Sequence, residues 1–272
     1  MSKDKDTVNE AKALEIALVA ARESSEVLRK IFRADGSALG AWIKDDGGLV
    51  TDADIASDRV IAETLRVAEV ASSIISEESS EYFEDSDLTW LVDPLCGTVP
   101  FNTGLAHWGV SIALRQKNEL KIGVLTLPAQ QEQLTAVSGR GVARNGQLWS
   151  ASPPLGKLAE VAIALEIDGG SEWKRLMSGQ LDWLSGVGQV NSFASAAFPL
   201  LQICLGRLAG GVFYNISPVH LAAGCIIAKE LGIMFTDNLG EPIRWDQNRA
   251  IPVVVVGWPE VHKQMMEIIN KD

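Results

Sequence analysis

Five short apolar or alternating segments, 72–75, 89–92, 108–114, 122–127 and 133–137, follow one another with only Gly, Asn, Asp or Pro turn signals between them. Such an array predicts a meandering sheet, and a meander must bury one face under something else. The covering elements precede it. Leu14, Leu18, Ala21, Leu28 and Phe32 recur at helical spacing over 7–33, and after the Gly- and Asp-rich turn at 45–48 the residues Ile55, Ile61 and Leu65 mark a second helix over 54–65. Beyond Pro153-Pro154 the pattern changes to alternation: strand 161–165, helix 195–205, strand 209–214, helix 221–231, strand 253–256 and a last helix from Glu260. The chain reads as α+β, layered α/β/α/β, with an N-terminal half over 1–150 that carries the acidic motifs and a C-terminal half over 151–272 that completes the pocket.

Composition narrows the classes of function. A chain of 272 residues with 47% hydrophobic content can bury a large core, and no apolar run approaches the roughly 20 residues needed to span a bilayer. The start, Met1-Ser2-Lys3-Asp4, lacks the apolar core of a signal peptide, so the expected location is cytoplasmic, with no membrane partner. A formal net charge of -11 and scattered Lys and Arg argue against nucleic acid as a partner. Cys96, Cys204 and Cys225 are too few for a disulfide framework and read as thiols, the last two within apolar helices. Trp42, Trp90, Trp108, Trp173 and Trp183 read as core or interface residues, His107 as a surface or packed residue, and His262 as lying on the charged face of the last helix.

The chemical signal is a set of acids at element ends: Asp54, the pair Glu77-Glu78, and Asp93. Any one of them alone could be a helix cap or a solvated turn. Together they would repel one another unless a hard divalent cation neutralised them, and oxygen-only ligands favour magnesium or manganese. In Asp93-Pro94-Leu95-Cys96-Gly97-Thr98, Pro and Gly lock a tight turn that presents a carboxylate, a carbonyl and a hydroxyl together.

Trp90-Leu91-Val92-Asp93-Pro94-Leu95-Cys96-Gly97-Thr98, preceded by Ser76-Glu77-Glu78-Ser79, resembles the W-x-x-D-P-x-D-G-T and G-E-E-S signatures of the inositol monophosphatase family. Lys44 with Leu49-Val50-Thr51-Asp52-Ala53-Asp54 resembles an earlier family segment. Gly139-Arg140-Gly141-Val142-Ala143-Arg144-Asn145-Gly146 resembles a family turn, and Ala222-Ala223-Gly224 the end of W-D-x-A-A-G. The resemblance spans nearly the whole chain. It implies the layered sugar-phosphatase fold, a homodimer, a small phosphorylated substrate, and hydrolysis with magnesium by two-metal displacement. Glu77, Asp93 and the Leu95 carbonyl would hold the first metal, Thr98 and Asp54 would orient its water, and Lys44, Gly97, Thr98 and Asn191 would face the substrate.

The resemblance breaks where the family holds its second metal. Cys96 and His220 stand in place of two aspartates, Asn191 in place of a frequent arginine, and Phe213-Tyr214-Asn215 lacks the usual sugar-contacting glutamate. Magnesium binds thiol and imidazole poorly. Three readings stay open: a vestigial pocket on a binding or assembly protein, a Cys96–His220 nucleophile–base pair, or a zinc-like transition metal on Asp93, Cys96 and His220.

Overall fold

The computed structural model describes residues 9–33, 39–44, 48–66, 72–82, 86–167 and 181–270. In chain order the elements are α1 (Glu10–Ile31), β1 (Ala41–Ile43), β2 (Leu49–Thr51), α2 (Asp52–Arg66), β3 (Ser73–Ser76), β4 (Ser80–Glu81), β5 (Leu88–Cys96), α3 (Thr98–Asn102), β6 (Gly109–Gln116), β7 (Glu119–Leu127), β8 (Glu132–Val137), β9 (Val142–Arg144) and β10 (Gln147–Trp149). They continue with β11 (Ala162–Ile167), β12 (Gln189–Asn191), α4 (Ala197–Cys204), β13 (Gly210–Ile216), α5 (Pro218–Glu230), β14 (Met234–Asp237), β15 (Ile251–Gly257) and α6 (Pro259–Ile269).

The meander closes into an eight-stranded sheet of order β10-β9-β8-β7-β6-β5-β3-β4, antiparallel except where β3 runs parallel to β5. A second sheet has the order β12-β11-β13-β15-β14, and β1 and β2 form a separate hairpin. Strand β5 shows why its run is almost wholly apolar: alternate residues serve opposite faces. Trp90 and Val92 pack with Ala17, Ala21, Leu28, Ile61 and Leu65 of α1 and α2. Leu91, between them, joins Ala113 and Leu125 against α4 and α5, a cluster that also takes in Phe213, Val254 and Val256 of the second sheet. That cluster crosses the expected boundary near residue 150. On the far side of the second sheet, Ile163, Leu165, Val212 and Val255 meet Val261 and Met265 of α6. The layered α+β order expected from the sequence is therefore present, with α6 closing its outer face.

The long elements match their periodic patterns to within a few residues. The short strands β9, β10, β12 and β14 were not legible, because strands of three or four residues carry little periodicity. His262 corrects its expected position: it is buried, its Nε2 lies 3.0 Å from Thr236 Oγ1, and burial holds its pKa below the usual value. Trp42 on the β1–β2 hairpin is nearly half exposed, whereas Trp90, Trp108 and Trp183 are buried. Trp173 and the turn positions 45–47 lie outside the described residues.

Candidate active site

The cavity forms where β5 ends. Pro94 cannot donate to the ladder, and the register between β5 and β6 shifts between Asp93 and Cys96, so the strand bulges and turns its side chains toward the opening. The Leu95 amide donates to Asp93 Oδ1 at 3.2 Å and braces this bulge. Gly97 follows with φ of 104°, and a Cβ there would lie 2.7 Å from the His107 carbonyl, so the turn requires glycine. Thr98 then opens α3.

Thr98 Oγ1 donates to Asp54 Oδ1 at 2.8 Å, and the Thr51 amide and hydroxyl donate to Asp54 Oδ2 at 2.8 and 2.5 Å. Asp54 is buried behind Thr98, and desolvation raises its pKa against the pull of these bonds. Because the only hydroxyl proton of Thr98 is committed to Asp54, its lone pairs are left to accept from the cavity side.

Glu77 and Glu78 sit on the turn after β3. Lys44 Nζ reaches Glu78 Oε1 at 2.5 Å and Glu77 Oε1 at 3.4 Å; burial works against the ammonium, but the two carboxylates outweigh it and hold its pKa above the usual value. Desolvation and the negative charge of Asp93 push Glu77 up to about 8. A Glu77 carboxylate whose charge is disfavoured in this way, lining the same cavity as Asp93 and Leu95, fits a hard divalent cation.

His220 lies in the first turn of α5, which Pro218 opens. Its Nδ1 is 2.5 Å from Asp93 Oδ2 and 3.9 Å from Glu77 Oε2. Desolvation opposes its charge, yet Asp93 prevails and its pKa stands well above the usual value. Cys96, pushed up to about 12 by burial and then by Asp93, carries a protonated thiol at neutral pH, which weighs against a reactive nucleophile. Its Sγ accepts from the Ala197 amide at 3.1 Å. One ligand atom from each of Asp93, Cys96 and His220 falls within 4.8 Å of the others. This O, S, N set does not fit magnesium and does suit a zinc-like ion.

Lys44, Glu77, Asp93, Leu95, Cys96, Gly97, Thr98 and His220 all line one cavity of about 650 Å³, together with Glu166, Ser195, Asn215 and Ser217 from the second half of the chain. Asn191 is not among the lining residues; it is half-buried on β12, paired with Ala164. Glu166 escaped the sequence reading, although a lone acid near the end of the apolar run Ala162-Ile163-Ala164-Leu165 was a usable signal. Its Oε1 accepts from the Phe193 amide at 2.7 Å, and burial pushes it up to about 7.

A sequence model of the inositol monophosphatase family matches residues 9–271. The chain belongs to the inositol monophosphatase family. It is 31% identical over 267 residues to Nus factor SuhB of Escherichia coli K12, covering 93% of this chain and 94% of that one. Among solved structures, the extragenic suppressor protein suhB of Bartonella henselae superimposes with a TM-score of 0.84 at 24% identity, covering 95% and 98% of the two chains. The Thermotoga maritima IMPase TM1415 gives 0.80 at 25%, covering 95% and 96%. In this family frame, Glu77 and Asp93 line one cavity with Cys96 and His220, and Asp54 is buried behind Thr98.

Proposed function

We propose that this family member binds a small phosphorylated metabolite in the cavity and hydrolyses its phosphomonoester slowly with one magnesium ion on Glu77, Asp93 and the Leu95 carbonyl. The carrying observation is the hydrogen bond from Thr98 to Asp54 beside those ligands, which leaves the Thr98 oxygen lone pairs free to accept a hydrogen bond from water and so orient it. A bound cation would acidify that water and neutralise phosphate charge. Asp54 keeps the Thr98 hydroxyl in one rotamer, and Lys44 holds the Glu77–Glu78 turn through its two ion pairs. Slowness follows from Cys96 and His220: the imidazole bonds Asp93 where the family has a metal-binding aspartate, and so competes for the same carboxylate. Asp93, Cys96 and His220 would instead take a zinc-like ion once the Cys96 thiol and the His220 imidazolium have each given up a proton.

Phosphate release from sugar, inositol and nucleotide monophosphates with magnesium tests the reading. The native chain is expected to turn over slowly, and a Cys96→Asp/His220→Asp variant about 100-fold faster, because restoring a second metal recovers several kcal/mol of transition-state stabilisation. Ordinary enzymatic rates in the native chain would refute the converted second position.

A second reading, an assembly or regulatory protein without turnover, is supported by the name Nus factor carried by relatives at 30% identity and above. Silence of both native chain and double variant favours it. Either reading includes a homodimer, which light scattering checks as a mass of two chains. Among the described residues, no helix is long and apolar enough to cross a membrane.

A further inference from the structure

Helix α2 presents three buried polar side chains at i, i+3 and i+4, one face of a helix: Asp54, Ser57 and Asp58. Each bonds a different segment of the cavity wall. Asp54 takes the Thr98 hydroxyl at 2.8 Å. Ser57 Oγ donates to the Pro94 carbonyl at 2.6 Å. With its proton committed there, Ser57 must accept from Ser24 of α1, whose Oγ lies 2.7 Å away, so the bulge of β5 is tied to two helices. Asp58 Oδ1 and Oδ2 accept from Ser76 Oγ at 2.6 Å and Ser79 Oγ at 2.7 Å. Those serines bracket Glu77 and Glu78, and the turn is closed by the Ser76 amide on the Ser79 carbonyl at 2.8 Å.

Asp58 is the seventh residue of α2, beyond the first turn where a helix terminus favours an acid. A carboxylate buried in mid-helix is costly unless both oxygens are satisfied, and here the hydroxyls on either side of the Glu77–Glu78 pair satisfy them. Ser57 is likewise fully buried and spends its bond on the carbonyl next to Leu95.

We propose that Ser57 and Asp58 are positioning residues for the metal site: Asp58 clamps the 76–79 turn so that Glu77 faces the cavity, and Ser57 clamps the 93–96 bulge so that the Leu95 carbonyl is presented beside it. This rests on the reading that Glu77, Asp93 and Leu95 hold a hard cation. Neither residue touches the cation; each sets the aim of one that does, as groups behind a metal's ligands commonly do.

The test titrates manganese against the melting temperature of the full-length native chain and of Asp58→Asn, Ser57→Ala and a Leu65→Ala control, which loosens α2 through the core without touching either loop. The expected result is a manganese midpoint at least ten-fold higher in Asp58→Asn and several-fold higher in Ser57→Ala, while Leu65→Ala melts earlier with its midpoint within two-fold of native. A Ser76→Ala/Ser79→Ala variant removes the same bonds from the loop side and is expected to reproduce the Asp58→Asn shift, which keeps the test open if Asp58→Asn fails to fold. Native-like midpoints in the loop and helix variants overturn the positioning role alone. A native chain whose melting does not respond to manganese overturns the retained metal site, and this proposal with it.

Discussion

Thr98 and Asp54 act as one unit, because the hydroxyl of the first has a single proton and the buried carboxylate of the second takes it. Replacing Thr98 with alanine leaves the cavity without its water-accepting oxygen, and Asp54→Asn reverses the polarity of the bond. Each is expected to lower magnesium-dependent phosphate release by roughly 100-fold or more, with melting of the Thr98→Ala chain within a few degrees of native. A Thr98→Ala chain that keeps native turnover would remove the pair from the mechanism. Glu166 offers a prediction on stability. Burial lifts its native pKa from 4.5 to about 7, so between those values the native state holds a proton that the unfolded chain has released. Its contribution is therefore full below about pH 4.5 and is lost as pH rises through 7, by roughly 3 kcal/mol. Glu166→Gln is expected to flatten that part of the pH–stability curve measured by urea unfolding; an unchanged slope would show that the proton resides elsewhere.

At the scale of elements, the site depends on how strands end and how closely helices approach them. The sequence reads Asp93-Pro94 as a tight turn after residue 92, whereas the structure carries β5 on to Cys96 through a bulge there, and Gly97 is required by its positive φ and by the nearby His107 carbonyl. The approach of α5 to β7 is a tertiary matter. A Cβ on Gly123 would lie 2.4 Å from Ile226 Cγ2 and 2.8 Å from the Ala223 carbonyl, in the helix that carries His220. Gly123→Ala is expected to cost about 1–3 kcal/mol by overpacking and to lower the melting temperature, because backbone on one side cannot yield. A melting temperature equal to native would mean that α5 has slack against the sheet. Near this contact, Glu230 at the end of α5 accepts from the Gly139 and Gly141 amides at 2.8 and 2.9 Å, binding the loop before β9 to the same helix.

For the molecule as a whole, the cavity is shared: Lys44 through Thr98 come from the first half of the chain and Glu166 through His220 from the second, over a core cluster common to both sheets. Unfolding is accordingly expected to show one cooperative calorimetric transition, raised as a unit by manganese; two separable transitions would argue for independent halves. Legibility followed the range of the forces involved. Helix and strand periodicity, the Asp93-Pro94 turn, and the acids at element ends act between near neighbours, so the sequence by itself determined the order of the long elements, the layered class and the acids Glu77 and Asp93 of the cavity. It also revealed Cys96 and His220 as departures from the family pattern. The family resemblance had already brought Cys96 and His220, 124 positions apart in the numbering, to Asp93; only the tertiary structure decided their contact distances, that Glu166 lines the cavity while Asn191 does not, and that His262 is buried. It also joined Asp58 to the Glu77 turn. Those placements depend on sheet register and on the packing of layers, which sum contacts between residues far apart in the chain and leave no periodic trace in it.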